Sequence, residues 1–537
     1  MNSGSKEKKF SYSLPEAEDL SLFSPAISSL DQKRLDQHYT KSSGLPLLLF
    51  MEQAAAAIFH FLRQRPEWED NDSVLILCGP GMNGGDGWAL ARQLSVLSKN
   101  ITVADFAAER SIGEVADQMR DAAHALAILN VQPKDLADWG KETRPKWIID
   151  ALLGTGFQLG RGLLPDMENL LPILNSWRNQ GSILLSIDIP SGVSANTGQR
   201  AEGAIDADQT LTFVYPKRGL LLSPGGENAG NIQVLPIGQA DPYYSEWKTR
   251  IIERSSIQTL LPKRSENSHK GSHGRVLLLA GSPQMPGALR LAMEASLRAG
   301  VGYLYAAVDQ ELLPMIGREF PEALHSPLNG NLNELFSKVD AIACGPGWGK
   351  AEGRAEILAK VLASDCPLIL DADALNILAE NKEGMEALRA RANRLGANAT
   401  VLTPHPGEFA RLFPELAELL LNYPLEAATS AAKEASALIL LKGSHSILAL
   451  ANGYTLIHPR SCSGLARAGS GDFLSGLILA LVGQGLPMHE ATALAIYLHV
   501  ETAKRLSRVY GEAGMRIFDL AKVLPDVWTS LSENSVL

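Results

Sequence analysis

The segment AGSGDFLSGLILAL, residues 468–481, sets small residues and Asp472 just ahead of a strongly apolar run. Small residues at a helix start let backbone N–H groups converge on an anion, and the helix dipole adds positive potential there. Asp472 would fall in the first turn, where its carboxylate could take the proton of a hydroxyl attacking a phosphoryl group. A plainer role is a helix cap, with Ser470 or Asp472 satisfying first-turn N–H groups; this motif alone leaves both open. LKGSHS, residues 441–446, closes an earlier apolar run. There Lys442, Gly443, Ser444, His445 and Ser446 suit a nucleotide's phosphates, or form an ordinary turn. TPHPGE (403–408), DADALN (371–376) and ACGPGWGK (343–350) close further apolar runs. Ligands of open parallel α/β sheets bind at such strand ends. GPGWGK is not a Walker A loop, because Cys344 and Ala351 stand where that pattern needs Gly and Ser/Thr.

The first half carries GPGMNGGDG, residues 79–87, directly after the apolar run SVLILC. GPGMNG fits G-x-G-x-x-G, and Asp105 follows about 20 residues on, as in dinucleotide-binding folds. Taken bare, this supports an NAD-dependent oxidoreductase. Asp86 speaks against it, since a carboxylate facing pyrophosphate would repel it unless a cation intervenes. Asp86 could also be a simple N-cap. Further strand ends carry DALLGTG (150–156) and DIPSG (188–192). Asp86, Asp150 and Asp188 are expected to converge on one pocket and to raise one another's pKa values unless a cation is present. Asn83 and Ser191 add neutral oxygens, and no histidine or cysteine joins them, which disfavours zinc.

These residues need elements to hold them. Leu47, Met51, Ala54, Ile58 and Leu62 recur at helical spacing. Strand candidates follow at 73–78, 101–106, 146–150 and 182–187, separated by helical patterns, which predicts a parallel sheet with helices on both faces. Between 239 and 272 the alternation breaks, and SENSHKGSH reads as a linker or entry loop. It then restarts, with strand candidates at 275–281, 302–308, 340–345, 367–371, 400–404 and 437–443. A core rarely grows past about 250–300 residues, so 537 residues imply two domains. They are expected at 1–245 and 246–537.

The charge balance, 49 basic against 59 acidic residues for a net −10, excludes a nucleic-acid binder with a broad basic face. The four cysteines, Cys78, Cys344, Cys366 and Cys462, form no C-x-x-C pair, which fits a reducing, cytoplasmic setting. The polar opening MNSGSKEKKFSYSLPE has no apolar h-region, and no run approaches the ~20 apolar residues of a membrane span. The closest, residues 45–62, is interrupted by Glu52, Gln53 and His60.

From about residue 268 to 523, HKGSHGRVLLLAGS, PGALRLAMEASLRAGVGYL, GPGWG, LDADALN, TPHPGEFARL, LKGSHS and GSGD follow one another. In this order they resemble the NAD(P)H-hydrate dehydratases of the ribokinase-like superfamily. Residues 27–239, with LPLLLFMEQAA, NGGDG, DALLGTG, DIPSG and FVYPKRGL, resemble the NAD(P)H-hydrate epimerases. The layout resembles the bifunctional NAD(P)H-hydrate repair enzymes. This implies an N-terminal Rossmann-like three-layer sandwich fused to a C-terminal ribokinase-like α/β domain. It implies epimerisation of the R and S hydrates at C6 of the nicotinamide ring, and donor-dependent dehydration of the S hydrate to NAD(P)H.

By motif matching, Asp472 would be the dehydratase base and Gly471 would help hold the phosphoryl group. Lys442 to Ser446 would contact ADP or ATP, with ADP favoured because fused members resemble the ADP-using group. Ala288, Gly347 and His405 would contact the hydrated dinucleotide, with His405 binding rather than catalysing. Mg²⁺ is expected on the phosphates. In the epimerase half, Met82, Asn83, Gly84, Gly85 and Asp86 would contact substrate. So would Gly154, Thr155, Gly156, Phe157, Gln158, Leu159, Gly160 and Asp188. Asn83, Asp150 and Ser191 would hold K⁺, and Asp188 would move the proton. Met82 departs from the family's usual Asn, which leaves that amide's role without a bearer. The implied partners are small molecules and a second copy of the chain, with no nucleic acid and no membrane. Two rival readings are a ribokinase-like small-molecule kinase fused to a dinucleotide-binding domain, and a non-catalytic, protein-binding N-terminal half.

Overall fold

The computed structural model describes residues 12–107, 111–142 and 144–533. Most of the polar N-terminal opening lies outside them. They form two compact units: residues 25–247, and residues 248–537 together with the segment ending at Ser24. This departs from a division at 245/246 that put the whole N-terminal segment in the first domain. The reason is burial: Leu20 and Phe23, each 0% exposed, lie in the core of the second unit.

In the first unit, helices α1 (Ser29–Ser43), α2 (Leu47–Arg63) and α3 (Met82–Leu94) accompany seven strands. These are β1 (Val74–Cys78), β2 (Ile101–Asp105), β3 (Leu129–Val131), β4 (Trp147–Ala151), β5 (Ile183–Ile187), β6 (Gln209–Phe213) and β7 (Asn231–Leu235). The order is β3-β2-β1-β4-β5-β6-β7, with every pairing parallel. Successive side chains point to opposite faces of a strand. Accordingly Val74, Ile76 and Cys78 join the core under α2, while Leu75 and Leu77 join the core on the other face. With both faces covered, the strand reads as a continuous apolar run.

The second unit contains β8 (Thr249–Ile251), β9 (Arg275–Leu279), β10 (Tyr303–Val308), β11 (Leu324–Pro327), β12 (Ala341–Cys344) and β13 (Leu368–Leu370). It continues with β14 (Thr400–Leu402), β15 (Leu438–Leu441), β16 (Ile447–Ala449) and β17 (Thr455–Ile457). From β11 the order runs β11-β10-β9-β12-β13-β14-β15-β16-β17-β8. All pairs are parallel except β15 with β16 and β16 with β17. The helices that matter for the site are α4 (Pro286–Arg298), α5 (Asp373–Glu380), α6 (Pro406–Leu412) and α7 (Ser470–Gly483). Helix α7 is apolar on all sides because it is buried on all sides, with Phe473 and Leu477 through Leu481 in the core.

Among the described residues no single helix is long and apolar enough to cross a membrane. The pair α1 and α2 passes on length and composition together but is bent by 118°. The apolar stripe of α2, including Met51, Ala54, Ile58 and Leu62, is spent on the first unit's core.

Candidate active sites

In the first unit the strand order reverses between β1 and β4, which opens a crevice above their carboxyl ends. The glycine motif beside it is not a loop before a helix: α3 already begins at Met82, with Gly81 as its N-cap. This also removes the reading of Asp86 as an N-cap. Glycine is required for this close approach. A Cβ on Gly84 would lie 1.9 Å from the Gly79 carbonyl oxygen, and one on Gly85 would lie 2.5 Å from Met51 Cε.

Asn83 Nδ2 donates to the Leu153 carbonyl at 3.0 Å, and Leu153 N donates to Ser191 Oγ at 2.8 Å. Ser191 Oγ in turn donates to Asp150 Oδ1 at 2.5 Å. Asn83, Asp150 and Ser191 therefore meet around Leu153. Asp150 is fully buried and also accepts from Ser186 Oγ at 2.8 Å and Ser191 N at 2.9 Å. Burial pushes its pKa up, against the hydrogen bonds from Ser191, Ser186 and Leu152. Asn83 Oδ1 is buried with no hydrogen-bond partner.

Asp188 follows β5 with φ 66°, a left-handed conformation uncommon for a non-glycine residue. Its Oδ1 accepts from Thr212 Oγ1 at 2.9 Å and pairs with Lys217 Nζ at 2.6 Å. The Lys217 side chain is 1% exposed and also donates to the Phe213 carbonyl at 3.2 Å. Burial, then the charges of Asp188 and Asp36, push Asp86 well above the carboxylate range, with Lys217 opposing. Asp36, on α1, is likewise pushed up by burial, against hydrogen bonds from Gln239 and Gln32.

The carboxylate trio thus corrects the expected one. The charges that act on Asp86 are those of Asp188, Asp36 and Lys217, and Asp150 is not among them. Asp150 is instead turned to the hydroxyls of Ser186 and Ser191. The sequence reading passed over Lys217, although it lies in FVYPKRGL; Asp36 left no signal in the polar run DQKRLDQHY. Residues 154–160 form the crevice's outer loop. Phe157 N closes a turn onto the Gly154 carbonyl at 3.1 Å, and Gly156, Gln158, Leu159 and Gly160 are exposed. Asp105, the acid of the oxidoreductase reading, is 4% exposed and capped by Ala107 N at 2.9 Å, so it is turned to structure and not to a ribose.

The second unit has its own reversal, between β9 and β12. Gly347, with φ 58°, follows β12, and a Cβ there would lie 2.5 Å from Ala288 Cβ on α4. Ser282 Oγ and Trp348 Nε1 are buried here with no partner. At the rim, His405 is the N-cap of α6. Its Nδ1 accepts from Gly407 N at 3.0 Å and Glu408 N at 3.4 Å, which leaves the ring proton on Nε2. Lys442, Gly443, Ser444, His445 and Ser446 form the turn that joins the antiparallel pair β15 and β16.

Lys442 Nζ reaches from that turn to Asp371 Oδ1 at 2.6 Å and lies 3.1 Å from where a Gly471 Cβ would stand. Asp472 lies in the first turn of α7, whose N-cap is Gly469 with no side-chain cap bond. Neither Ser470 nor Asp472 is thus the cap, and Ser470 Oγ lies 3.3 Å from His499 Nε2 instead. Burial, then the charge of Asp371, pushes Asp472 up to about 7, with Lys442 opposing. Burial alone would raise Asp371 and lower Lys442, but their mutual charge wins: the acid lies below its usual range and the amine above.

Two α/β units, one with an all-parallel sheet and one with a mostly parallel sheet, each with ionisable side chains gathered at strand ends, define a fused pair of enzymes. Residues 276–526 match the NAD(P)H-hydrate dehydratase family, and residues 48–219 match the family described as YjeF-related protein N-terminus. The bifunctional NAD(P)H-hydrate repair enzyme Nnr of Moorella thermoacetica is 32% identical over 531 residues, covering 94% of this chain and 97% of its own. That of Escherichia coli is 31% identical, covering 92% of each chain. A crystal structure of the ADP/ATP-dependent NAD(P)H-hydrate dehydratase from Bacillus subtilis, co-crystallised with ATP/Mg²⁺, is 30% identical. It covers 52% of this chain and 98% of its own, with a TM-score of 0.45. The chain belongs to the family of bifunctional NAD(P)H-hydrate repair enzymes.

Proposed function

We propose that the chain repairs hydrated NADH and NADPH with two activities. The first unit interconverts the R and S hydrates, and the second dehydrates the S hydrate at the expense of ADP or ATP. The observation that carries this is Asp472 in the first turn of α7, within reach of the Lys442 charge, in a chain that matches the family over nearly its whole length.

In the second unit, Asp472 takes the proton of the C6 hydroxyl as its oxygen attacks the terminal phosphoryl group of the donor. The first-turn amides at Gly471 and the Lys442 ammonium hold the developing charge. The ring nitrogen then expels phosphate from C6, and loss of the C5 proton to the released phosphate or to water restores the dihydropyridine. Mg²⁺ would screen the donor's phosphates, and the excess of Asp371, Asp373, Glu408 and Asp472 over Lys442 suits a cation at that place. Ala288, Gly347 and His405 line the dinucleotide's side.

In the first unit, Asp188 moves the proton while C–O cleavage or ring opening inverts C6. Asn83, Asp150 and Ser191 suit K⁺. They offer only oxygen, Asn83 Oδ1 is unpartnered, and Asp150 has no ion-pair partner among the described residues. Such an ion would supply the charge that a fully buried carboxylate needs.

The direct test incubates the protein with chemically hydrated NADH and ADP or ATP, following the return of reduced-nicotinamide absorbance and release of phosphate. A stable phosphorylated product with no return of absorbance would make it a small-molecule kinase. Epimerisation is expected to be faster in K⁺ than in a bulky organic cation at equal ionic strength. Asp150→Ala is expected to lose both the activity and that preference; equal rates in both cations would remove the ion.

A further inference from the structure

Resting on the dehydratase reading above, we infer that Asp371 is a positioning residue for phosphoryl transfer: its carboxylate fixes the Lys442 ammonium over the first turn of α7, where that ammonium meets the phosphoryl group in transit. Asp371 directly follows β13 and is 1% exposed. Its oxygens are tied from several directions. Oδ1 takes Lys442 Nζ at 2.6 Å and Ala372 N at 2.9 Å, and Oδ2 takes Ser475 Oγ at 2.7 Å. Ser475 lies one turn into α7, so the carboxylate is fastened to the helix whose start bears Gly471 and Asp472. Ala372 is held at φ 48°, a left-handed conformation that a non-glycine residue keeps only where its surroundings over-determine it.

A lysine ammonium is a point charge on a flexible stem, and its aim is set by its partner. Of the other acids whose charge acts on Lys442, Glu408 stands 4.0 Å away, beyond hydrogen-bond reach, and Asp472 acts through charge alone. Asp371 therefore does the aiming. What it aims at follows from Gly471: the ammonium lies 3.1 Å from the absent Cβ, so any side chain there would compete with it for the space above the first-turn amides.

The test is Asp371→Asn, in the full chain, with hydrated NADH and ADP. It is expected to lower kcat about 10²-fold, the scale of misaiming a group in a reacting centre. KM for hydrated NADH should change little, because Asp371 is tied to Lys442 and α7 rather than to the dinucleotide's side. Ser475→Ala keeps both charges and loosens Asp371, so it should lower kcat by a smaller factor, again with KM little changed. A kcat within a few-fold of wild type, or a loss carried by KM with kcat kept in Asp371→Asn, would overturn the positioning role. Should Asp371→Asn not fold, Ser475→Ala decides, with an unchanged kcat overturning the role. A wild-type protein that fails to turn over hydrated NADH would instead sink the dehydratase reading itself.

Discussion

Asp472 is held at about 7 by burial and by Asp371, so below that pH it carries a proton and cannot act as a base. Dehydration is expected to fall roughly tenfold per pH unit below about 7. Asp472→Asn should lower it by about 10²–10⁴ while epimerisation continues; near-normal dehydration in that variant would leave Asp472 without a chemical role. The same shift has a stability cost. A carboxyl whose folded pKa lies above its ordinary 3.8 stabilises the fold fully below that value, and the contribution is lost as pH rises through about 7. Asp472→Asn is therefore expected to raise the melting temperature at pH 8 and to lose that advantage as pH falls toward 4. At this scale the sequence was most informative where a residue type is uncommon in its place, such as a carboxylate in GSGD. It was silent on Lys217 and Asp36. A lysine beside an arginine reads as solvated, and only the fold buries its ammonium against Asp188.

At the scale of elements, alternating apolar runs and helical patterns disclosed the strands bordering both crevices, because buried parallel strands are apolar without interruption. The strands left out, β3, β6, β7, β8, β11, β16 and β17, are short or mixed with polar residues: Gln209, Thr210 and Thr212 are buried in β6 and read as loop by composition. The glycine motif misled on the start of α3, since glycine is ordinarily a helix breaker. There it is selected by contact: within α3, Gly84, Gly85 and Gly87 each lie against backbone or side chain where a Cβ has no room. The same logic governs α7. A Cβ on Gly476 would lie 2.2 Å from the Ala292 carbonyl oxygen of α4, and Ser296 Oγ of α4 donates to the Gly476 carbonyl at 2.9 Å. This contact seats the helix that carries Asp472. Gly476→Ala is expected to destabilise the second unit by about 1–3 kcal/mol, as overpacking does. A urea melt with an unchanged midpoint would show that α4 and α7 can part without cost.

At the scale of the whole chain, the second unit is not contiguous. Its first strap, the described residues up to Ser24, precedes the first unit in sequence, and its remainder follows from Lys248. The strap is part of the structure and not a tail. Leu20 and Phe23 are fully buried, Asn452 Nδ2 donates to the Pro15 carbonyl at 2.8 Å, and Ile251 N donates to the Ser24 carbonyl at 2.8 Å. Length and βα alternation argue that the two halves fold separately when cut between 239 and 272, but the strap divides that expectation. The fragment 25–247 keeps all of its core. The fragment 248–537 loses two fully buried side chains, each worth about 1.5–3 kcal/mol, and leaves the apolar surface beneath them open to water. It is expected to be markedly less stable than the same fragment carrying residues 1–24 through a Gly/Ser linker, which the adjacency of Ser24 and Ile251 permits. Denaturant midpoints and donor-dependent dehydration, compared between the two fragments, check this. Equal midpoints would mean that the strap lies on the unit without contributing to it, whereas a gain restored by the linked segment and abolished by Phe23→Ser would place the missing stability in that buried ring.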